Sequence, residues 1–123
     1  MPLVIINGIV QDGAETDIGE WGTPTALTIA SGVITITGAG FYEIDTEGAA
    51  ATDDLDTISG GDEGDVIILK SKANARDIVL KHGTAGADNL DLIDLDITLG
   101  VTQERVQLQK NAVGNWIEFS SRP

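Results

Sequence analysis

The chain has 123 residues, 41% of them hydrophobic, no cysteine, and a net charge of −13 from 7 basic and 20 acidic side chains. That is one domain's length with enough apolar content for a core, and the missing cysteine excludes disulfides, a thiol nucleophile and a thiolate metal site. No apolar run reaches the length of a membrane span, and the opening Met-Pro-Leu-Val-Ile-Ile-Asn-Gly lacks the basic n-region of a signal peptide.

The charge is unevenly spread. Residues 1–69 hold 13 acidic side chains and no Lys or Arg, whereas from Lys70 onward seven basic residues meet seven acidic ones. A half without cations cannot grip phosphates, which are held by Lys and Arg displacing counterions. Nucleic acid and anionic membrane are therefore not expected as partners. The acidic half reads as a solubility device, or as an acidic face offered to a basic surface. Without disulfides to staple a modest core, extra stability would come most simply from association with other chains.

Residues 1–25 read as an N-terminal arm or extended segment ahead of a single β domain over residues 26–123. The arm carries a β-branched run, Leu3, Val4, Ile5 and Ile6, then the turn pair Asn7-Gly8, then polar sequence with Trp21. Its apolar run could equally be an edge strand. From Ala26 the sequence alternates with period 2. Ala26–Ala30 and Val33–Thr37 flank Ser31-Gly32 and predict a β-hairpin. Phe41–Asp45 is a third strand, and residues 46–54 are a loop or a single helical turn near Ala49–Ala51. Further strands are predicted at Leu55–Ile58, Val66–Lys70, Ile78–His82, Leu90–Ile93, Ile97–Leu99, Val106–Lys110 and Trp116–Phe119. Most of the 15 glycines fall in the breaks, and no window shows a helical apolar stripe.

Short strands about ten residues apart with turn chemistry between them predict an all-β fold. The expected form is an antiparallel β-sandwich, jelly-roll-like, or a small barrel. No strict repeat is present, and a regular strand pitch belongs to any meander, so the pattern is not read as a solenoid. Val66–Leu69 is apolar on both faces and should be the most buried strand. In the strand 105–110, Val106 and Leu108 face one way and Arg105, Gln107 and Gln109 the other, a polar row that suits a solvated or intersubunit face.

Chemistry is sparse. The carboxylate clusters are Asp53, Asp54 and Asp56; Asp62, Glu63 and Asp65; and Asp88, Asp91, Asp94 and Asp96. Ca²⁺ is the one ion such oxygens could take. The spacing fits neither an EF-hand nor the Gly-Gly-x-Gly-x-Asp repeat, so no cofactor and no metal ligand is expected. A glycosidase pair would need a cleft lined with aromatics, and the five aromatics here lie apart from the acidic pairs. His82 is the only histidine, with no nucleophile elbow to serve, and reads as a strand-end side chain bonded to nearby backbone. Trp116 reads as a structural plug. No catalytic residue is expected.

Five stretches together resemble a module that recurs in the virion proteins of tailed bacteriophages, in the β-structured appendages of tails, necks and heads. They are Tyr42–Gly48, Leu55–Gly61, Gly64–Leu69, Ile78–Gly83 and Gly114–Phe119, within roughly the last two thirds of the chain. One departure is the Asp-Leu alternation over Asp88–Leu95, where the module would carry Gly- and Asn-rich turns. The resemblance implies a non-enzymatic homotrimer used for attachment or surface decoration. A chain this short fits a capsid decoration (cement) protein better than a tail fibre. Its expected partner is the major capsid protein, on the outer surface of the head. Leu3, Val4, Ile5, Ile6 and Trp21 would be the partner-binding residues of a docking arm. The alternative is a receptor- or carbohydrate-binding module of a tail fibre or tail tip.

Overall fold

A computed structural model describes residues 22–83, 87–93 and 95–118. In chain order the strands are β1 (Thr25–Thr28), β2 (Val33–Thr35), β3 (Gly40–Asp45), β4 (Thr52–Leu55), β5 (Thr57–Ser59), β6 (Val66–Ser71), β7 (Asp77–Leu80), β8 (Leu90–Asp91), β9 (Ile97–Leu99), β10 (Arg105–Lys110) and β11 (Trp116–Glu118). A 3-10 turn spans Glu47–Ala49. The fold is all-β, as the alternation predicts.

The pairing differs from the expectation. β1 lies parallel to β3, β3 parallel to β6, β2 parallel to β5 and β4 parallel to β7. Each partner is one circuit of chain away: Val33 sits beside Thr57, Gly40 beside Ile67 and Thr52 beside Asp77. Successive circuits therefore stack as coils with three walls, a β-solenoid-like arrangement and not the antiparallel sandwich or barrel expected from the sequence. The first wall is ordered β1-β3-β6-β10-β11-β8, the second pairs β2 with β5, and the third is β4-β7-β9. The last layer runs backwards. β9 is antiparallel to β7, β10 is antiparallel to β6, and β11 folds back on β10.

The physical reason for the correction is visible at the corners. Ser31-Gly32 does turn the chain, with Ala30 and Val33 exchanging two backbone hydrogen bonds at 2.9 and 3.0 Å. The ladder goes no further. Ser31 and Gly32 adopt positive φ, 52° and 81°, and Gly32 O accepts the N–H groups of Asp56 and Thr57 from the next coil. The turn is thus a corner between two walls, not the tip of a hairpin. A second corner splits the predicted strand Leu55–Ile58 at Asp56, between β4 and β5.

The core lies inside the coils. Ile44, Leu55, Ile58, Ile67, Leu69, Ile78, Leu80, Leu90, Leu108 and Trp116 are completely buried. Tyr42, Leu69 and Val106 form one inward row across β3, β6 and β10, and Ile34 and Ile58 another across the second wall. Each fully buried aliphatic side chain contributes roughly 1.5–3 kcal/mol. β6 carries four buried residues of six, more than any other described strand. Its outward Val66 and Ile68 are only half-buried, because a coil wall packs on one side.

The corner glycines separate space from backbone angle. Gly60 and Gly64 both have positive φ, 97° and 93°. A β-carbon at Gly60 would collide with the Ile36 carbonyl oxygen of the previous coil, whereas Gly64 faces open space. Gly64→Ala is expected to cost about 1 kcal/mol, as an L side chain in left-handed backbone does. Gly60→Ala should cost at least about 2 kcal/mol more. Urea melts of the two variants check this; equal losses would contradict the coil-to-coil contact.

Candidate functional site

The arm residues proposed for partner binding, Leu3, Val4, Ile5, Ile6 and Trp21, lie outside the described residues. Most of the acidic clusters lie within them, and much of their carboxylate chemistry is spent on backbone donors. Asp53 accepts from Glu47 N at 2.7 Å and Asp54 N at 2.9 Å, anchoring the 3-10 turn. Asp65 accepts from Asp62 N at 2.8 Å, closing the corner ahead of β6. Asp96 accepts from His82 N at 2.9 Å and pairs with Lys81 at 2.8 Å. Among the described residues no three metal-capable side chains converge. His82 Nδ1 accepts the Leu92 N–H at 3.1 Å, so one ring nitrogen is used structurally.

Trp116 closes the core where coils meet cap. It is fully buried, and its indole N–H donates to Ile58 O at 3.1 Å. Lys110 covers it, 5.6 Å from the ring centroid. The ammonium donates to Gly60 O and Gly61 O at 2.9 and 3.2 Å and lies 3.7 Å from Asp88. The glycine corner therefore holds a cation through its carbonyls, not an anion through its N–H groups.

The surface with the most varied chemistry is the outer face of the first wall. Side chains alternate along strands, so Phe41, Glu43 and Asp45 of β3, Val66, Ile68 and Lys70 of β6, and Arg105, Gln107 and Gln109 of β10 point outward. Lys70 pairs with Glu43 at 3.0 Å and is largely buried, with Lys72 4.0 Å from the same carboxylate. Arg76 Nη1 donates to both oxygens of Asp45 at 2.8 and 2.9 Å. Arg105 stacks 5.4 Å from the Phe41 ring centroid. The sequence marks this face only weakly, through the two-sided apolar character of β6 and the first cation at Lys70. Finding the pairs requires the register, which alternation does not carry.

Three pKa shifts follow from these pairs. The Arg76 hydrogen bonds hold Asp45 below its ordinary value of 3.8, against burial, which raises it. The Lys81 hydrogen bond likewise lowers Asp96 and is returned as a raised Lys81.

Comparison with family models, with curated proteins and with solved structures finds no match.

Because the Asp45 pKa is depressed on folding, its contribution to stability is present above pH 3.8 and is lost as the pH falls through the folded value. Arg76→Ala is expected to move the Asp45 carboxyl titration up toward 3.8 and to flatten that part of the acid loss. Carboxyl NMR titration of both proteins checks it; an unmoved Asp45 would contradict the pairing.

Proposed function

We propose that this chain is a non-enzymatic structural protein of a tailed-phage virion, a trimeric head decoration protein that seats on the major capsid protein and stabilises the shell. The reading rests on the resemblance carried by Tyr42–Gly48, Leu55–Gly61, Gly64–Leu69, Ile78–Gly83 and Gly114–Phe119. The observation that supports it most is where these stretches fall. They supply most of β3, all of β5, most of β6 and β7, and β11, the walls and closing strand of the coil stack. The likeness is therefore to the load-carrying body and not to a scattered set of turns.

The electrostatics agree with a protein that works by surface contact. Asp53, Asp65 and Asp96 are engaged in caps, and Glu43 and Asp45 in ion pairs. No helix among the described residues is long and apolar enough to cross a membrane. In this reading the partner is a protein shell, the body faces outward, and residues 1–25 form the docking arm, with Leu3–Ile6 and Trp21 as its apolar contacts.

Deleting residues 1–20 is expected to abolish binding to heads stripped of the protein while leaving the melting transition of the β body in place. Electron microscopy of heads with the full and shortened chains, beside a thermal melt, reads both. Binding retained by the shortened chain would overturn the docking role of the arm.

A further inference from the structure

The charge of this chain is segregated by wall. The outer face of the first wall carries four cations, Lys70, Lys72, Arg76 and Arg105, against three carboxylates, Glu43, Asp45 and Asp91, of which Glu43 and Asp45 are ion-paired. The described chain has only two other Lys or Arg, Lys81 and Lys110. The same face exposes the half-buried apolar side chains Phe41, Val66 and Ile68 in adjoining rows. The third wall is the opposite. Asp54 of β4 and Asp56 at its end are exposed, and among the described residues neither is ion-paired. Lys81, the nearby cation, is taken by Asp96 at 2.8 Å.

A chain of net charge −13 repels its own copies at most approaches. The exception is an approach that sets the cationic, apolar-striped first wall of one copy against the acidic third wall of the next. We infer that this pair of faces is the contact between copies of the chain. Two different surfaces meet in such a contact, so it is heterologous, and a heterologous contact that closes on itself gives a cyclic ring. The composition of the first face suits the role: an aromatic, an arginine and aliphatics in neighbouring rows, interleaved with glutamines. This inference rests on the oligomeric reading above and names the surfaces that would build it.

The test uses charge reversal at two exposed positions, Arg105→Glu on the first wall and Asp54→Arg on the third, in the full chain. Sedimentation equilibrium gives the mass and near-UV circular dichroism verifies the fold. The wild type is expected to form a closed oligomer that weakens as salt rises. Each single reversal should weaken association by about tenfold or more. The double variant should recover, because every contact then brings both reversed charges together. An oligomer whose affinity is indifferent to both single reversals overturns the assigned faces and leaves the oligomeric reading standing. A monomer at every concentration overturns both.

Discussion

The structure turns on β6. Like β7 in the third wall, it has a parallel coil neighbour on one side, β3, and an antiparallel cap neighbour on the other, β10, and it is the longer of the two junction strands. Its inward Ile67 and Leu69 are completely buried, Leu69 in a row that runs from Tyr42 to Val106 and Ile67 beside Leu108. Remove that junction and the first wall loses its cap, because among the described strands β10 has no other partner but β11. The short second wall could not compensate, with three residues in each of β2 and β5. Backbone pairing and side-chain burial therefore act on the same few residues. That coupling is how a chain without disulfides can hold a stack of short strands together.

The end of the stack is finished by polar chemistry as much as by packing. Trp116 seals the interior, but its indole N–H needs an acceptor once buried, and Ile58 O of the second wall supplies it. Lys110 then satisfies the carbonyls of Gly60 and Gly61, which the sharp corner turns away from any strand partner. A cation is thus spent on closing the fold in a chain that has few. Of the other five described cations, Lys81 pairs with Asp96 and four gather on the first wall, where Lys70 and Arg76 neutralise Glu43 and Asp45. Among the described residues Asp54 and Asp56 are left outside any ion pair, with Lys81 near them but bonded to Asp96. Charge and architecture are linked in this way: the first Lys in the sequence arrives with β6, and the wall built around β6 collects most of the described cations.

Much of this was legible in the sequence, and the illegible part has a definite cause. The alternation in Val33–Thr35, Phe41–Asp45, Ile78–Leu80 and Arg105–Lys110 marks strands, and it sorts Val106 and Leu108 inward and Arg105 and Gln107 outward as observed. The period of two is blind to strand direction, however. Ser31-Gly32 reads as a hairpin tip, since a tight corner and a hairpin turn need the same positive-φ backbone. Only the fate of Gly32 O, which accepts from Asp56 and Thr57 and not from a continuing hairpin ladder, tells them apart. β4 was not legible either: its Thr52–Asp54 lie in the stretch 46–54 read as a loop or helical turn, and its last residue, Leu55, was joined to β5. His82 and Trp116 were legible as structural side chains because neither had chemical company in the sequence. The paired charges of the first wall were not, because Glu43 and Lys70 are 27 residues apart and meet only through the coil register.

Parallel stacking is the claim from which the walls, their rows and their charges all follow, and the absence of cysteine makes it directly measurable. Neighbouring strands lie about 4.8 Å apart, and disulfides bridge Cα atoms roughly 4.4–6.8 Å apart. In the coil stack Thr35 lies beside Ser59, while Thr28 lies beside Asp45. In a hairpin turning at Ser31-Gly32, Thr28 would instead lie opposite Thr35. The measurement is the rate of intrachain disulfide formation in two double variants, Thr35→Cys with Ser59→Cys and Thr28→Cys with Thr35→Cys. Stacked coils predict rapid closure of the first pair and little of the second; the reverse would contradict the fold and everything built on it.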